Sequence, residues 1–412
     1  MSKTIIYDEN RMLYDYKPST SVKLIPTDLQ QIPFDDQTYQ FTDTMTATFT
    51  SGDYYVDSEK SYVSISIKVG SDDSETLKLN FGRGSIANLW SNIRIFHASG
   101  TEIANVQNID MWSKNNQTMT KDQFWKDSIG HIQGYRNNPA TEYIFNAVTG
   151  VNGTQELQFK IRLCDLHPFF KGTEYKLLPK EIINNLRIEL DTNPFNKVFT
   201  QGETGSPILS SVISDCHIQM ALVDVNDESA DVVSDMALKT GLQWSYSDIF
   251  ITTRQVAADE NNININIDKA CSISKNIVSF ARDRTDSTLS SDSYTFPEIQ
   301  SNRWNYRIEN TLYPYKRQVY QTADSYSAAI DCYDWEYGTN LKYTDFVSHN
   351  NNYVTCLKTD THIIHSGDYL NSNKRVEFQL EKATLPDSKF LHSCLEYVKV
   401  LHTNGVNSRI DE

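Results

Sequence analysis

The stretch from residue 82 to residue 87 has the spacing that best fits a cofactor site. It reads Gly-Arg-Gly-Ser-Ile-Ala, which matches the G-x-G-x-x-A pattern of a turn that approaches a dinucleotide pyrophosphate, and Glu102 follows about twenty residues later, as an acidic ribose ligand does. A new strand pattern begins at Ile93, which leaves too little chain for the crossover helix of such a site. We therefore interpret the motif as a tight turn in which Ser85 caps a short helix, and we predict no cofactor.

Two histidines, His362 and His365, have a spacing that could place both imidazoles on one face of a helix. The Thr, Asp, Ser and Gly residues around them favour strand and turn, where residues three apart point to opposite faces. The chain also lacks a G-x-S-x-G elbow, a P-loop and an H-E-x-x-H motif. We therefore predict no metal site and no catalytic residues, so we do not expect an enzyme.

Aromatic residues are dense between positions 326 and 343. Such side chains bury a large area, so they serve both as anchors between subunits and as packing groups within one domain, and the sequence leaves both readings open. The candidate subunit-contact residues are Tyr326, Tyr333, Trp335, Tyr337 and Tyr343.

The charge balance argues against some kinds of partner. The 412 residues carry a net charge of −15 without a local basic cluster, whereas binding to phosphate backbones needs clustered Lys and Arg. No apolar run approaches the length of a membrane span, and the first residues are too short for a signal-peptide core. We predict no sequence-specific nucleic-acid binding, no membrane insertion and synthesis in a cytosol or nucleus-like space.

Short strands dominate the secondary structure that the sequence predicts. Apolar residues alternate with polar ones at 62–69 and 263–268, which is the period of a half-buried strand, whereas 107–148 has large apolar residues at helix-like intervals and is expected to be a loop with short helices. Further strands are predicted at 46–50, 77–81, 93–96, 156–163, 185–190, 217–223, 248–254, 276–280, 304–308, 375–380 and 395–401. Without a parallel βαβ rhythm, the fold class is all-β sandwiches.

The length favours two domains, because it exceeds what one hydrophobic core usually organises. Pro18, Pro26 and Pro33 break any continuous helix or central strand near the start, and an acidic stretch follows residue 224. We predict an extended arm at 1–35, a first sandwich at 36–225, a linker at 226–240 and a second sandwich at 241–412.

Several segments, taken in order, resemble the double jelly-roll major capsid proteins of virophages, Polinton-like viruses and related double-stranded DNA viruses. Residues 81–89 are similar to the glycine turn of that family, and 304–308 followed by Tyr313 and Pro314 is similar to an aromatic strand that ends before a Tyr-Pro turn. Glu309 stands where relatives often have glycine. The further matching segments are 51–62, 99–103 and 395–405.

The resemblance implies two consecutive eight-stranded antiparallel jelly rolls with short helices in their loops. It also implies a homotrimer that forms a pseudo-hexagonal capsomer of an icosahedral shell, since two similar domains per chain give a trimer about six edges. The partners would be neighbouring capsomers and minor capsid, penton or cement proteins, and the location would be the virion. The alternative is another viral β-sandwich binding protein, such as a spike, a minor vertex protein or a lectin-like module.

The six cysteines should all be free thiols in the folded protein, because their spacing forms no disulfide framework and no secretory signal precedes them. Peptide mapping by mass spectrometry under non-reducing conditions measures this directly, and a single native disulfide would contradict it. The residues are Cys164, Cys216, Cys271, Cys332, Cys356 and Cys394.

Overall fold

The structure is a computed structural model of the 412-residue chain. It describes residues 25–71, 78–81, 84–136, 142–145, 153–172, 177–201, 208–225, 227–257, 260–283, 301–318, 323–332, 343, 346, 354–359, 376–382, 389–404 and 407–411.

The first part of the chain folds into two antiparallel sheets that face each other, and we call this unit the first sandwich. One sheet has the order β1-β11-β4-β8, with β2 also paired to β11, and the other has the order β3-β9-β6-β7, while β5 pairs with β10. The strands are β1 (Ile25–Pro33), β2 (Thr38–Tyr39), β3 (Thr44–Thr48), β4 (Tyr55–Ser71), β5 (Leu79–Asn80), β6 (Trp90–Phe96), β7 (Glu102–Gln107), β8 (Gly153–Arg162), β9 (Arg187–Thr192), β10 (Thr200–Gln201) and β11 (Ile208–Asp224).

The second part repeats this arrangement and forms the second sandwich. Its sheets have the orders β12-β19-β14-β17, with β20 also paired to β19, and β13-β18-β15-β16. The strands are β12 (Leu242–Val256), β13 (Asn262–Ile267), β14 (Ser274–Asp283), β15 (Ser301–Ile308), β16 (Thr311–Gln318), β17 (Val354–Lys358), β18 (Val376–Lys382), β19 (Lys389–Thr403) and β20 (Ser408–Asp411). Apart from the short strands β2, β5, β10 and β20, each sandwich has two four-stranded sheets among the described residues, and its first long strand lies beside its last long strand, β1 beside β11 and β12 beside β19. This arrangement confirms the predicted pair of eight-stranded jelly rolls.

Helices are short and lie between strands, as predicted for 107–148. Ser85 caps a 3-10 turn, because its hydroxyl accepts a hydrogen bond from the Ala87 amide at 3.2 Å, which confirms the capped turn predicted there. In the part of the chain that the structure describes, no helix is long and apolar enough to span a membrane. The helices are α1 (Ile109–Thr120), α2 (Gln123–Asp127), α3 (Ile129–Ile132), α4 (Leu163–Leu166), α5 (Lys180–Ile183), α6 (Phe195–Val198), α7 (Asp227–Lys239) and α8 (Ala323–Cys332), with 3-10 turns at Ile86–Leu89 and Pro168–Phe170.

The alternating strands place one side of each sheet in a core, as their sequences predict. Val63, Ile65, Ile67 and Val69 of β4 are all fully buried in the first sandwich. In β13, buried isoleucines alternate with exposed asparagines along Asn262–Ile267, so its apolar face closes the second core.

The predicted arm at 1–35 is wrong for its last eleven residues. β1 pairs with β11 from Ile25 to Pro33, and Ile32 and Phe34 are buried in the first core. Pro26 fits this strand because β1 lies at the edge of its sheet, where hydrogen bonds are needed on one side only. Residues 1–24 lie outside the described residues.

Two further segments differ from expectation. The segment predicted as a linker, 226–240, contains α7, which connects β11 to β12. Tyr313 and Pro314 do not form a turn, because both lie within β16. The reversal occurs earlier, between β15 and β16, where Glu309 adopts a left-handed conformation with φ of 54°. This is the position at which relatives often have glycine, so the turn is kept at some backbone strain.

The contribution of β1 can be tested with two substitutions on one strand. Ile32→Ala should lower the free energy of unfolding by about 2 to 5 kcal/mol, because the Ile32 side chain is 6% exposed and its removal leaves a cavity. Leu29→Ala, at a side chain that is 53% exposed, should change it by less than about 0.5 kcal/mol. Urea unfolding followed by circular dichroism gives both values, and equal effects would show that β1 is not part of the core.

Candidate functional site

One sheet takes part in both hydrophobic cores. On the same face of the paired strands β12 and β19, Trp244, Tyr246 and Leu401 pack into the core of the first sandwich. Further along that face, Phe250 and Tyr397 pack into the core of the second sandwich. We call the contact between the sandwiches the junction. It is built from β12, β19, β20, α1 and the loops of the first sandwich that they touch.

Two aromatic side chains of β12 anchor the junction in the first sandwich. The indole Nε1 of Trp244 donates to the carbonyl of Phe169 at 2.9 Å, and the hydroxyl of Tyr246 donates to the carbonyl of Ile103 at 2.7 Å. Gly172, at φ +61°, lies against the indole ring, and a Cβ there would come within 2.9 Å of Trp244 Cζ2. Only glycine combines that backbone conformation with the space the ring needs.

A buried ionic cluster marks the point where the shared face passes from one core to the other. Asp248 Oδ2 lies 2.7 Å from Nζ of Lys399 and accepts a hydrogen bond from the Tyr397 hydroxyl at 2.9 Å. Its Oδ1 lies 3.3 Å from Nε2 of His167, a residue of the first sandwich. Lys399 also donates to the Ile103 carbonyl at 3.3 Å. The cluster therefore joins β12 and β19 to two parts of the first sandwich, strand β7 at Ile103 and the connection between α4 and the following 3-10 turn at His167.

The charge state of Asp248 follows from these contacts. Burial opposes ionisation and by itself would raise the pKa of the carboxyl, but the close contact with His167 and the charge of Lys399 outweigh it. The pKa of Asp248 therefore lies well below its ordinary value. The carboxylate and the lysine stay charged together, so each satisfies the other in a place that water does not reach.

Helix α1 fills the junction on the opposite face of the shared sheet. Met111 and Met119, both fully buried, pack in one cluster with Val278, Phe280 and Cys394 of the second sandwich. An inserted helix with flexible methionine side chains can fit an irregular sheet surface closely.

Polar contacts fix α1 from the side of the first sandwich. Asp110 Oδ2 lies 2.6 Å from Nζ of Lys197 and accepts from the Asn193 amide at 3.1 Å. Asp110 is fully buried, so its ion pair with Lys197 fixes the start of α1 against α6 of the first sandwich.

The C-terminal strand adds a third set of contacts. The Ser99 hydroxyl lies 2.6 Å from the Ser408 hydroxyl, and Thr101 Oγ1 donates to the Ser408 carbonyl at 3.2 Å. Beside them, Nε2 of His97 lies 3.2 Å from the Thr403 hydroxyl. Strand β20 therefore ties the end of the second sandwich to the β6–β7 turn of the first.

The structure describes two of the five predicted subunit-contact residues. Tyr326 on α8 packs edge-on against Tyr343, with ring centroids 5.2 Å apart, and against the buried Phe346 at 5.5 Å. The Tyr343 side chain is 46% exposed. The two tyrosines come together, with Tyr326 packed within the domain and Tyr343 partly open to solvent. Tyr333, Trp335 and Tyr337 lie outside the described residues.

The motifs weighed for chemistry do not build a cofactor or metal site in what the structure describes. The 3-10 turn after Ser85 is four residues long and leads directly into β6, so no crossover helix follows it. His362 and His365 are outside the described residues. Among the described ones, no group of three His, Cys, Asp or Glu side chains is arranged to hold a metal ion. All six cysteines are buried and unbridged.

The junction residues were missed in the sequence, although a signal exists. Asp248 and Lys399 occupy core-facing positions of alternating strands, each two residues from a buried aromatic side chain, Tyr246 and Tyr397. A charge at such a position requires a buried partner. The pattern shows that a partner is needed, but not which residue supplies it.

Known proteins resemble the chain in structure but not in sequence. No protein-family model matches it, and no curated protein matches it either. The Faustovirus major capsid protein superimposes with a TM-score of 0.65 at 8% identity, covering 98% of this chain and 94% of that one. PBCV-1 VP54, fitted into a reconstruction of the virophage Sputnik, gives 0.61 at 9% identity, covering 96% and 99%. The mavirus major capsid protein gives 0.57 at 9% identity, covering 97% and 94%.

These likenesses establish the class of fold. The chain has the double jelly-roll fold of major capsid proteins, and the match extends over nearly the whole of both chains in each comparison. At this level of identity the comparison concerns the fold, and function has to be argued separately.

The buried pair at the junction can be tested against an exposed pair. Asp248→Ala should lower the free energy of unfolding by about 3 to 5 kcal/mol, because it leaves Lys399 buried without its carboxylate. Asp235→Ala removes the same group from an exposed pair with Lys239 and should change it by less than about 0.5 kcal/mol. Urea titrations at neutral pH measure both variants. Losses of equal size would show that the junction pair contributes no more than a surface ion pair.

Proposed function

We propose that the chain is a major capsid protein of a double-stranded DNA virus, and that it assembles into a shell without acting as an enzyme. The observation that carries this proposal is the end-to-end match to the Faustovirus and mavirus major capsid proteins, over 94% of each of those chains. A spike or lectin-like module would need only one such sandwich, whereas this chain keeps both sandwiches and joins them through a buried junction.

The virophage or Polinton-like type is the finer part of the proposal. It is supported by the ordered sequence segments that resemble that group and by the likeness to the mavirus protein, with a TM-score of 0.57. We also propose the domain division with a boundary in α7, moving the start of the first sandwich to residue 25. Residues 1–24, with Pro18 among them, would then be the arm that contacts neighbouring subunits.

Three chains would form the capsomer. Two sandwiches held side by side present two lateral flanks per chain, so a trimer has about six sides and can tile a pseudo-hexagonal lattice. Tyr343 is a candidate contact because its half-exposed ring already packs against Tyr326, so a partner can cover it at little entropic cost. Neighbouring capsomers and minor capsid, penton or cement proteins would complete the shell.

Charge opposes assembly and salt should relieve it. Each chain carries a net charge of −15, so three chains repel one another at low ionic strength. Physiological salt shortens the range of this repulsion to about 8 Å, which leaves apolar burial at the contacts to decide the outcome.

The purified chain is expected to be a homotrimer at micromolar concentration, and the trimer should become more stable as salt rises from low to physiological levels. Light scattering across a salt series measures this, and electron microscopy should show pseudo-hexagonal particles. Tyr343→Ser should weaken the trimer about tenfold or more if the ring is an anchor. Tyr54→Ser, at a tyrosine that is 38% exposed in the loop before β4, is the matched control.

One outcome would contradict the trimer, and another would contradict only the role of Tyr343. A chain that stays monomeric in every salt condition would exclude self-assembly of this kind. A trimer weakened equally by Tyr343→Ser and Tyr54→Ser would remove Tyr343 from the list of contacts while leaving the trimer itself in place.

A further inference from the structure

Three histidines of the described chain are fully buried, and all three lie at the junction. His97, His167 and His392 are 2%, 0% and 1% exposed, whereas the other described histidines, His131, His217 and His402, are not buried. Histidine is the side chain whose ordinary pKa, about 6.5, lies closest to physiological pH. A contact surface that collects buried imidazoles is therefore sensitive to mild acid in a way that an apolar surface is not.

His392 has surroundings that suit only a neutral ring. It lies on β19, stacks on Phe280 with centroids 5.5 Å apart, and its Nδ1 lies 2.9 Å from the Thr253 hydroxyl. Its Nε2 is buried and makes no hydrogen bond within the described residues. A proton added there would have no acceptor among the described residues.

The charges that face His392 are positive. Burial lowers the pKa of this imidazole well below its ordinary value, and Arg282 of β14 and Lys197 of α6 lower it further. Lys197 is paired with Asp110, so that carboxylate is already engaged. Protonation would add a third positive charge to a dry part of the junction.

His97 connects the sandwiches directly. Its Nε2 lies 3.2 Å from the hydroxyl of Thr403, and its Nδ1 lies 3.1 Å from that of Ser99. Burial lowers the pKa of His97, and a bond to the main-chain carbonyl of Glu181 only partly opposes this. In the closed junction, His97 and His392 thus stay neutral at a pH near 6.5, at which free histidines take up protons.

His167 has different surroundings because it faces a carboxylate, and its Nε2 lies 3.3 Å from Oδ1 of Asp248. It is not part of the proposal below. Two buried carboxylates, Asp165 and Asp248, have lowered pKa values and stay charged in mild acid. Burial opposes ionisation of Asp165, but Lys121 and Arg162 lower its pKa to about 2, and the pKa of Asp248 is lowered as well.

We propose that the junction is an acid-sensitive latch, closed while His97 and His392 are neutral and opened when both take up protons. Below pH 6.5 the open state binds more protons than the closed state, so the closed state loses stability as the pH falls. Carboxylates add to this loss only below about pH 4. Between about pH 4 and 6.5, the loss of closed-state stability is therefore due to the histidines.

The size of the effect follows from proton linkage. If each imidazole has an open-state pKa of about 6.5 and stays neutral when closed, moving from pH 7.5 to 5.5 shifts the opening equilibrium about tenfold per histidine, and about a hundredfold for the pair. The latch concerns the isolated chain. Its effect on a shell rests on the function proposed above: there, acid would separate the two sandwiches within each subunit.

Two matched cysteines report on opening. Cys394 and Cys271 are both 3% exposed, but Cys394 packs with Met111 and Met119 across the junction, whereas Cys271 packs inside the second core. Brief labelling with dithiodipyridine, which reacts with thiols in mild acid, followed by peptide mapping gives the modified fraction at each site. We expect the ratio of Cys394 to Cys271 labelling to rise by one to two orders of magnitude between pH 7.5 and 5.5, in line with the linkage estimate.

Substitutions assign the effect to the two histidines. His392→Asn and His97→Gln should each reduce the pH dependence of that ratio about tenfold, with His392→Phe as a second variant of the same position. His131→Gln, at an exposed ring, is the control and should leave it unchanged. Protection of Cys271 at pH 7.5 shows that a variant is folded. A ratio that stays constant with pH, or labelling of both cysteines in parallel, would overturn the latch, since the first means no opening and the second means global unfolding.

Discussion

The register between β12 and β19 is the constraint on which the arrangement of the two sandwiches depends. The two strands pair without interruption from Leu242 opposite Thr403 to Val256 opposite Lys389, and one face of this ladder enters first one core and then the other. A slip of one residue would turn Trp244 and Tyr246 to the opposite face and empty both anchor positions. The register therefore fixes which side chains of the shared face enter each core, because a strand register has no intermediate positions.

A charged pair, Asp248 and Lys399, lies on the shared face of β12 and β19 between the part in the first core and the part in the second. Burying Asp248 and Lys399 loses hydration that their attraction only roughly recovers, so well-packed apolar residues could hold the junction as firmly. An apolar boundary could, however, close in several nearby arrangements. The charged pair is satisfied only when Tyr397, His167 and the carbonyl of Ile103 all reach their positions. We infer that the cluster contributes more to the choice of one arrangement than to its total stability.

The elements that could be predicted are those whose signal is local. The alternation of β4 and β13 and the cap at Ser85 depend on residues within a few positions of each other, and the structure has them where the sequence places them. β1 was missed because Pro26 excludes the centre of a sheet but not its edge, and the position of a strand in its sheet is not encoded locally. The turn lies at Glu309 and was expected at Tyr313, because the expectation came from a Tyr-Pro sequence pattern. Such a pattern does not specify the backbone conformation.

The junction could not be predicted for a different reason. His97 and His392 are single residues without a motif, and they are far apart in sequence. They lie at one junction only because the two sandwiches pack together. The same holds for Asp110 and Lys197, whose separation in sequence exceeds any helical or strand period. The sequence showed only that Asp248 and Lys399, as charged residues in inward-facing strand positions, each need a buried partner.

A rigid junction also bears on how such a chain can assemble. Association loses free energy when flexible parts become ordered, and two sandwiches joined by a buried junction have little such motion left to lose. In the shell proposed above, contacts between chains could then be individually weak, and the net charge of −15 per chain would keep them so by repulsion. Each subunit of a closed lattice has several neighbours, so weak contacts add up while misplaced subunits can still dissociate. On that proposal, the firm junction within the chain is what would make weak contacts between chains sufficient.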